Sequence, residues 1–188
     1  MRVWIEDVGT GSIDKAIKLL AGIPGGAQKA MHSALKRAGD RAKTEAGRFA
    51  AEEYTISKGT FMKNVKVTTG VSGSGSGVSM SIKFAGHVLP LLEFNTRYER
   101  GGLLTTQVKS NGGAATLQHA FAERVYGPLG VYERVGAPRF PVEEKFGPST
   151  GHMMRNEQVV QKMEKTIREE FDKRMEHEII RVMNGWGG

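Results

Sequence analysis

Residues 155–183 read RNEQVVQKMEKTIREEFDKRMEHEIIRVM. Val160, Met163, Ile167, Phe171, Met175, Ile179 and Val182 recur three or four apart and make one apolar stripe, the mark of an amphipathic helix. Glu164, Arg168, Asp172 and Glu176 crowd the opposite face with both signs of charge. Such a helix needs a partner to cover its stripe, because propensity alone stabilises it little.

A second long helix is written near the other end of the chain. Residues 27–53 contain no proline, and alanines recur at 30, 34, 38, 42, 46 and 50. A spacing of four stacks them one turn apart as a slowly drifting ridge. Side chains this small let another helix approach closely. Met31, Leu35 and Phe49 add bulk beside the ridge. Upstream, Ser12 is positioned to cap a short helix through Ile13, Ile17 and Leu20, after a possible strand at residues 3–6.

Between the long helices the period changes to two. Val65, Val67 and Thr69 alternate with polar residues, as do Val78, Met80, Ile82 and Phe84. A Gly-Ser run joins them, so the pair is expected as an antiparallel hairpin. A second hairpin is expected from residues 115–125 and 129–135. Residues 95–114 read as a long Gly-rich loop, and 70–77 as a flexible one. The expected fold is α+β: one domain over 1–188, with an antiparallel sheet of about four strands packed by a long N-terminal and a long C-terminal helix.

The 188 residues contain no cysteine, which excludes disulfides and thiolate metal sites. No run approaches the roughly 20 apolar residues of a membrane-spanning helix. Net charge is +7, unevenly spread. Residues 1–53 hold 9 basic and 7 acidic side chains, +2; residues 126–188 hold 10 of each. Residues 54–125 hold 8 basic and 3 acidic, +5. Arg97, Arg100 and Lys109, in the expected long loop, are the candidate contacts for DNA or an acidic partner.

Catalytic patterns are few. Gly147-Pro-Ser149-Thr-Gly151 fits the outline of a nucleophile elbow, which needs an acid and then a histidine downstream on separate loops. Asp172 and His177 share one helix and cannot line up behind Ser149. No phosphate loop or His-Glu-x-x-His metal motif occurs, and the histidines at 32, 87, 119, 152 and 177 are scattered. The expectation is a non-enzymatic chain without cofactor or metal.

Residues 117–154 carry a more specific pattern. They contain Ala120-Phe121, then Gly130-Val-Tyr-Glu-Arg134, then Pro141-Val142 and Gly147-Pro-Ser149 ahead of the C-terminal helix. This resembles the prophage minor tail protein Z family. Its pattern is an Ala-Phe strand, a Gly-Val-Phe-x-Arg strand and a Pro-Ile-x-x-x-x-Gly-Pro-Ser segment before a helix. Tyr132 and Val142 are conservative departures from it. The resemblance covers roughly residues 115–183 and assigns structural roles to Phe121, Gly130, Arg134, Pro141, Gly147, Pro148 and Ser149. It implies a tail-completion protein of long-tailed bacteriophages in the neck of the virion. Such a protein would form a hexameric ring between the tail tube or terminator and the head–tail connector, with DNA passing through. The alternative from the residues alone is a soluble nucleic-acid-binding module. For the Gly-Pro-Ser segment the residues suggest a rigid connector. Pro141 would set an extended approach, Gly147 would take an unusual backbone angle, and Ser149 or Thr150 would cap the next helix.

Overall fold

The computed structural model describes residues 2–3, 11–74, 77–99, 102–125 and 127–185. Helices are α1 (Ser12–Leu19), α2 (Gly26–Glu53), α3 (Lys58–Asn64), α4 (Thr150–Met153) and α5 (Glu157–Met183). Strands are β1 (Arg2–Val3), β2 (Lys66–Ser74), β3 (Gly77–Ala85), β4 (Val88–Pro90), β5 (Asn95–Tyr98), β6 (Leu104–Gln107), β7 (Ala115–Leu117), β8 (Ala120–Glu123), β9 (Gly130–Arg134), β10 (Val142–Glu144) and β11 (Phe146–Ser149). The chain is α+β with antiparallel sheets, and it divides into two compact units. The first comprises residues 1–46, 67–84 and 160–188; the second comprises 47–66 and 85–159.

In the first unit the alanine ridge is realised in full. Ala30, Ala34, Ala38, Ala42 and Ala46 are completely buried. Because the ridge is low, β3 approaches closely. A Cβ built on Gly39 would lie 1.6 Å from Met80 Cε, so the methionine tip occupies the place of a side chain. Met80 and Ile82 point inward from β3, whereas Ser81 and Lys83 are exposed, as the alternation predicts. The sheet order is β1-β3-β2, with Val3 opposite Met80.

The stripe of α5 is buried from Met163 through Ile167, Phe171, Met175, Ile179 and Val182. It begins at Val159, not Val160, which is only half-buried; the buried set steps by strict fours up to Ile179. Polar contacts fix the helices against it. Glu178, 4% exposed, accepts from Arg37 of α2 at 3.2 Å and from Arg181 at 3.1 Å. A carboxylate buried between two arginines is costly to leave unpaired, so it pins α2 to α5 at this height. Ser12 donates to Asp172 at 2.9 Å, and Lys15 meets Glu176 at 3.5 Å.

The expectation for α1 changes accordingly. Gly11, at φ 62, is the cap residue, and Ser12 is the first helical residue with its hydroxyl turned to α5. Ala16 and Leu20 are buried and Ile17 is exposed, because the helix turns its Ser12–Lys15 side toward α5. Of the possible strand at residues 3–6, Val3 is in β1, and the rest lies outside the described residues.

Among the described residues the single four-stranded sheet does not occur, and four small sheets form instead: β1-β3-β2, β10-β9-β8, β11-β4 and β5-β6-β7. The strands of the second unit are three to five residues long. Prolines at 90 and 148, which cannot donate to a ladder, lie within or at the end of two of them. The expected strand over 115–125 is split by a turn at Gln118–His119, so β7 pairs with β6 while β8 pairs with β9. The supposed loop at 95–114 contains the hairpin β5–β6, registered from Asn95↔Gln107 to Tyr98↔Leu104. Its strands carry threonines in place of an apolar alternation. Thr96 and Thr106 share a hydroxyl hydrogen bond at 2.8 Å, and Thr105 donates to the Arg97 carbonyl at 3.3 Å.

The ridge leaves no room for larger side chains. Ala38→Leu is expected to destabilise the protein by about 1–3 kcal/mol through overpacking. Urea unfolding checks this, and a midpoint equal to that of wild type would show that nothing packs against the ridge.

Candidate interaction surface

The residues of the 117–154 pattern all lie in the second unit. Phe121 stands opposite Tyr132 in the β8–β9 register, their ring centroids 6.2 Å apart and tilted by 33°. The Arg134 guanidinium lies 5.8 Å from the centroid of the Phe121 ring, within cation–π range. Tyr132 is buried; Arg134 is exposed and keeps its charge at the surface. Gly130 makes the stack possible, because a Cβ there would sit 2.8 Å from Glu144 Oε1 and 3.1 Å from the Tyr132 ring. Beside the stack runs a groove of about 590 Å³ bordered by Gln118, His119, Phe121, Glu133 and Arg134.

Behind it, Lys145 Nζ meets Glu133 at 2.7 Å and Glu143 at 3.8 Å. The hydrogen bond from Lys145, followed by its charge, holds the Glu133 carboxyl below the usual range. The same hydrogen bond raises Lys145. The pair is exposed to solvent and contributes little to stability.

The Gly147-Pro-Ser149 segment is β11. It pairs with β4 and shifts register between Gly147 and Ser149, so that Pro148, which has no N–H, stands out of the ladder. Gly147 is there for space rather than for an unusual backbone angle. Among the described residues only Gly11, Gly25, Gly102, Gly127 and Gly185 have positive φ. A Cβ on Gly147 would lie 2.3 Å from Phe94 Cε2, and Phe94 is buried. Pro141 directly precedes β10, and its carbonyl accepts from Val135 N at 3.2 Å.

Ser149 caps α4, its hydroxyl accepting from His152 N at 3.1 Å. A strand does precede it and a helix does follow, as in a nucleophile elbow. The backbone nevertheless is ordinary extended chain, φ −71 and ψ 155, without the strained turn of an elbow. Thr150 is buried and donates to the Asn64 carbonyl at 3.5 Å.

The two described basic candidates, Arg97 and Lys109, sit in different local settings. Arg97 is exposed and pairs with Glu99 at 2.9 Å. Lys109 lies beyond β6 in an isolated bridge with Tyr54. Arg97 is registered with Thr105 within β6, whereas Lys109 lies past the end of that strand. Arg100 lies outside the described residues. Lys109 instead meets residues that sequence reasoning did not connect with it. With Tyr54, His152, Arg155, Asn156 and Glu157 it lines a second cavity, of about 410 Å³. No sequence signal pairs position 109 with 155; only the fold brings them together.

Among the described residues, no group of three or more His, Asp or Glu side chains is placed to hold a metal ion, and no helix is long and apolar enough to cross a membrane. Comparison with known proteins finds no matching family, no similar curated protein and no similar solved structure.

Gly147→Ala is expected to cost about 1–3 kcal/mol, because Phe94 has to move. In a Phe94→Leu background the same change costs less, and a double-mutant cycle by chemical denaturation measures the coupling. Additive effects would mean that the two positions do not touch.

Proposed function

We propose that the chain is a structural assembly protein of a long-tailed bacteriophage, acting at the head-proximal end of the tail tube. In this reading it is one subunit of a closed ring, most simply of six copies. It supports the joining of head and tail and the passage of DNA. Its neighbours are the tail tube or terminator protein below and the connector proteins above. The role is binding and geometry, not turnover.

The observation that carries the reading is the pattern from Ala120 to Ser149, in the family's order of strand, strand, Gly-Pro-Ser segment and helix. Its support is the residue pattern alone, since the comparisons supply no relative. The way the pattern residues are used fits a structural role. Phe121, Tyr132 and Arg134 stack, Gly147 admits Phe94, and Ser149 caps a helix. A ring subunit contacts its neighbours through unlike faces whose rotation closes, so each copy needs two rigid, complementary surfaces.

The nucleic-acid alternative draws less support. A DNA-binding surface needs cations that follow the phosphate backbone. Here Arg97 is paired with Glu99, and Lys109 stands apart from it.

Deleting the gene from a tailed phage that carries it tests the proposal. The expected result, by electron microscopy of lysates, is filled heads and separate tails that fail to join, restored by supplying the protein in trans. Normal joined particles from the deletion would refute the assignment.

A further inference from the structure

The 410 Å³ cavity of the second unit is lined by two cationic side chains and one acidic one. Tyr54 comes from the residue after α2, Lys109 from the bridge beyond β6, His152 from α4, Arg155 and Asn156 from the turn after it, and Glu157 from the start of α5. Lys109 and Arg155 are exposed and form no ion pair among the described residues. The positive charge here is therefore not already spent, in contrast to that of Arg97.

Tyr54 supplies an independent sign. It is 3% exposed, and its hydroxyl oxygen accepts from Asn156 Nδ2 at 3.5 Å. That contact uses a lone pair and leaves the O–H proton to donate. No acceptor for that proton is found among the described residues. A buried phenol normally finds a partner for its hydroxyl, and this one borders a cavity. The position is held from three sides: Tyr54 bridges Lys109, Ser110 N donates to the Glu53 carbonyl at 3.0 Å, and the Gln158 amide, turned with its nitrogen inward, donates to the Glu53 carboxylate at 2.6 and 2.9 Å. Glu157 is the one acid in the lining, and it is itself engaged with a partner.

We propose that this cavity binds the carboxylate of an acidic side chain presented by a partner protein, with Lys109 and Arg155 supplying charge and Tyr54 a directed hydrogen bond. An arginine and a lysine around a carboxylate make charge-assisted hydrogen bonds, the strong kind. DNA fits the site less well. Duplex DNA presents a phosphate about every 1.7 Å of axis and is met by an extended row of cations. Two cations in a small recess with Glu157 at its border match one anionic group carried on an otherwise neutral segment. The inference does not depend on the tail assignment and stands if the chain serves another assembly.

Nuclear magnetic resonance of the intact, isotope-labelled protein tests it, because weak binding of an isolated segment is readable as shifts. The probe is a blocked glycine–serine peptide with two central glutamates; its counterpart carries glutamines, and a short DNA duplex is the third ligand. The glutamate peptide is expected to shift amides near Tyr54, Lys109 and residues 152–158, and the glutamine peptide to shift none. Lys109→Ala combined with Arg155→Ala should weaken binding by about tenfold or more, as for loss of a charge pair at an interface. Tyr54→Phe, which removes only the hydroxyl, should weaken it less. Lys66→Ala combined with Lys83→Ala makes the same change in net charge elsewhere and should leave binding intact. The proposal is overturned if the glutamate peptide does not bind, or if both lysine–arginine and lysine–lysine pairs lower binding equally. It is also overturned if the duplex, and not the peptide, shifts the Tyr54 and Lys109 amides.

Discussion

Close approach to the alanine face of α2 is the constraint on which the first unit depends. Five completely buried alanines from position 30 to 46 contribute little apolar area each. Their value is distance: a low ridge brings neighbouring elements near enough for larger side chains to fill the space that alanine leaves. Met80 reaching over Gly39 is one instance. The bulk comes from elsewhere, from Met163, Ile167, Phe171 and Met175 on α5. Methionine adapts to irregular gaps, which suits a core poor in aromatics. Once the apolar faces are in place, the buried Glu178 between Arg37 and Arg181 discriminates against sliding, because a shifted helix would strand its charge.

The second unit is organised differently. Its strands are too short to build one broad sheet, and local devices take over. Gly130 and Gly147 are sites where a ring, of Tyr132 and Phe94 respectively, lies where a side chain would otherwise be. Ser149 ends a strand and starts a helix in a single residue. Such devices make rigid connectors, and rigid connectors hold polar groups in fixed relation. The consequence appears around α4 and the turn after it, where His152 and Arg155 line one cavity with Lys109 and the buried Tyr54.

What the sequence made legible follows from range. The α5 stripe, the alanine ridge and the alternation of β3 are periodic signals within one element, and each is found as expected apart from the step from Val160 to Val159. The β8–β9 pair and the Ser149 cap are short-range signals and are also found. The β5–β6 hairpin was hidden because, beside Leu104, its buried positions in β6 are Thr105 and Thr106, whose hydroxyls are hydrogen-bonded and which leave no apolar alternation to read. The division into small sheets was hidden because strand pairing is decided by partners, and β7 turns to β6 rather than continuing into β8. The basic surface illustrates the same limit. Charge counting finds Arg97 and Lys109 together in sequence; pairing with Glu99 and the hairpin register set them apart.

A structural role at the neck of a virion requires this chain to sit in a ring coaxial with the tail tube, and that location is open to direct observation. Cryo-electron microscopy of the joined head and tail, with the second unit's β8–β9–β10 sheet and the α4–α5 turn as fitting landmarks, is the measurement that bears on it most directly. A sixfold ring of this chain at the head-proximal end of the tube is the expected result. Density for it at the host-facing tip, or as a single copy off the axis, would contradict the account.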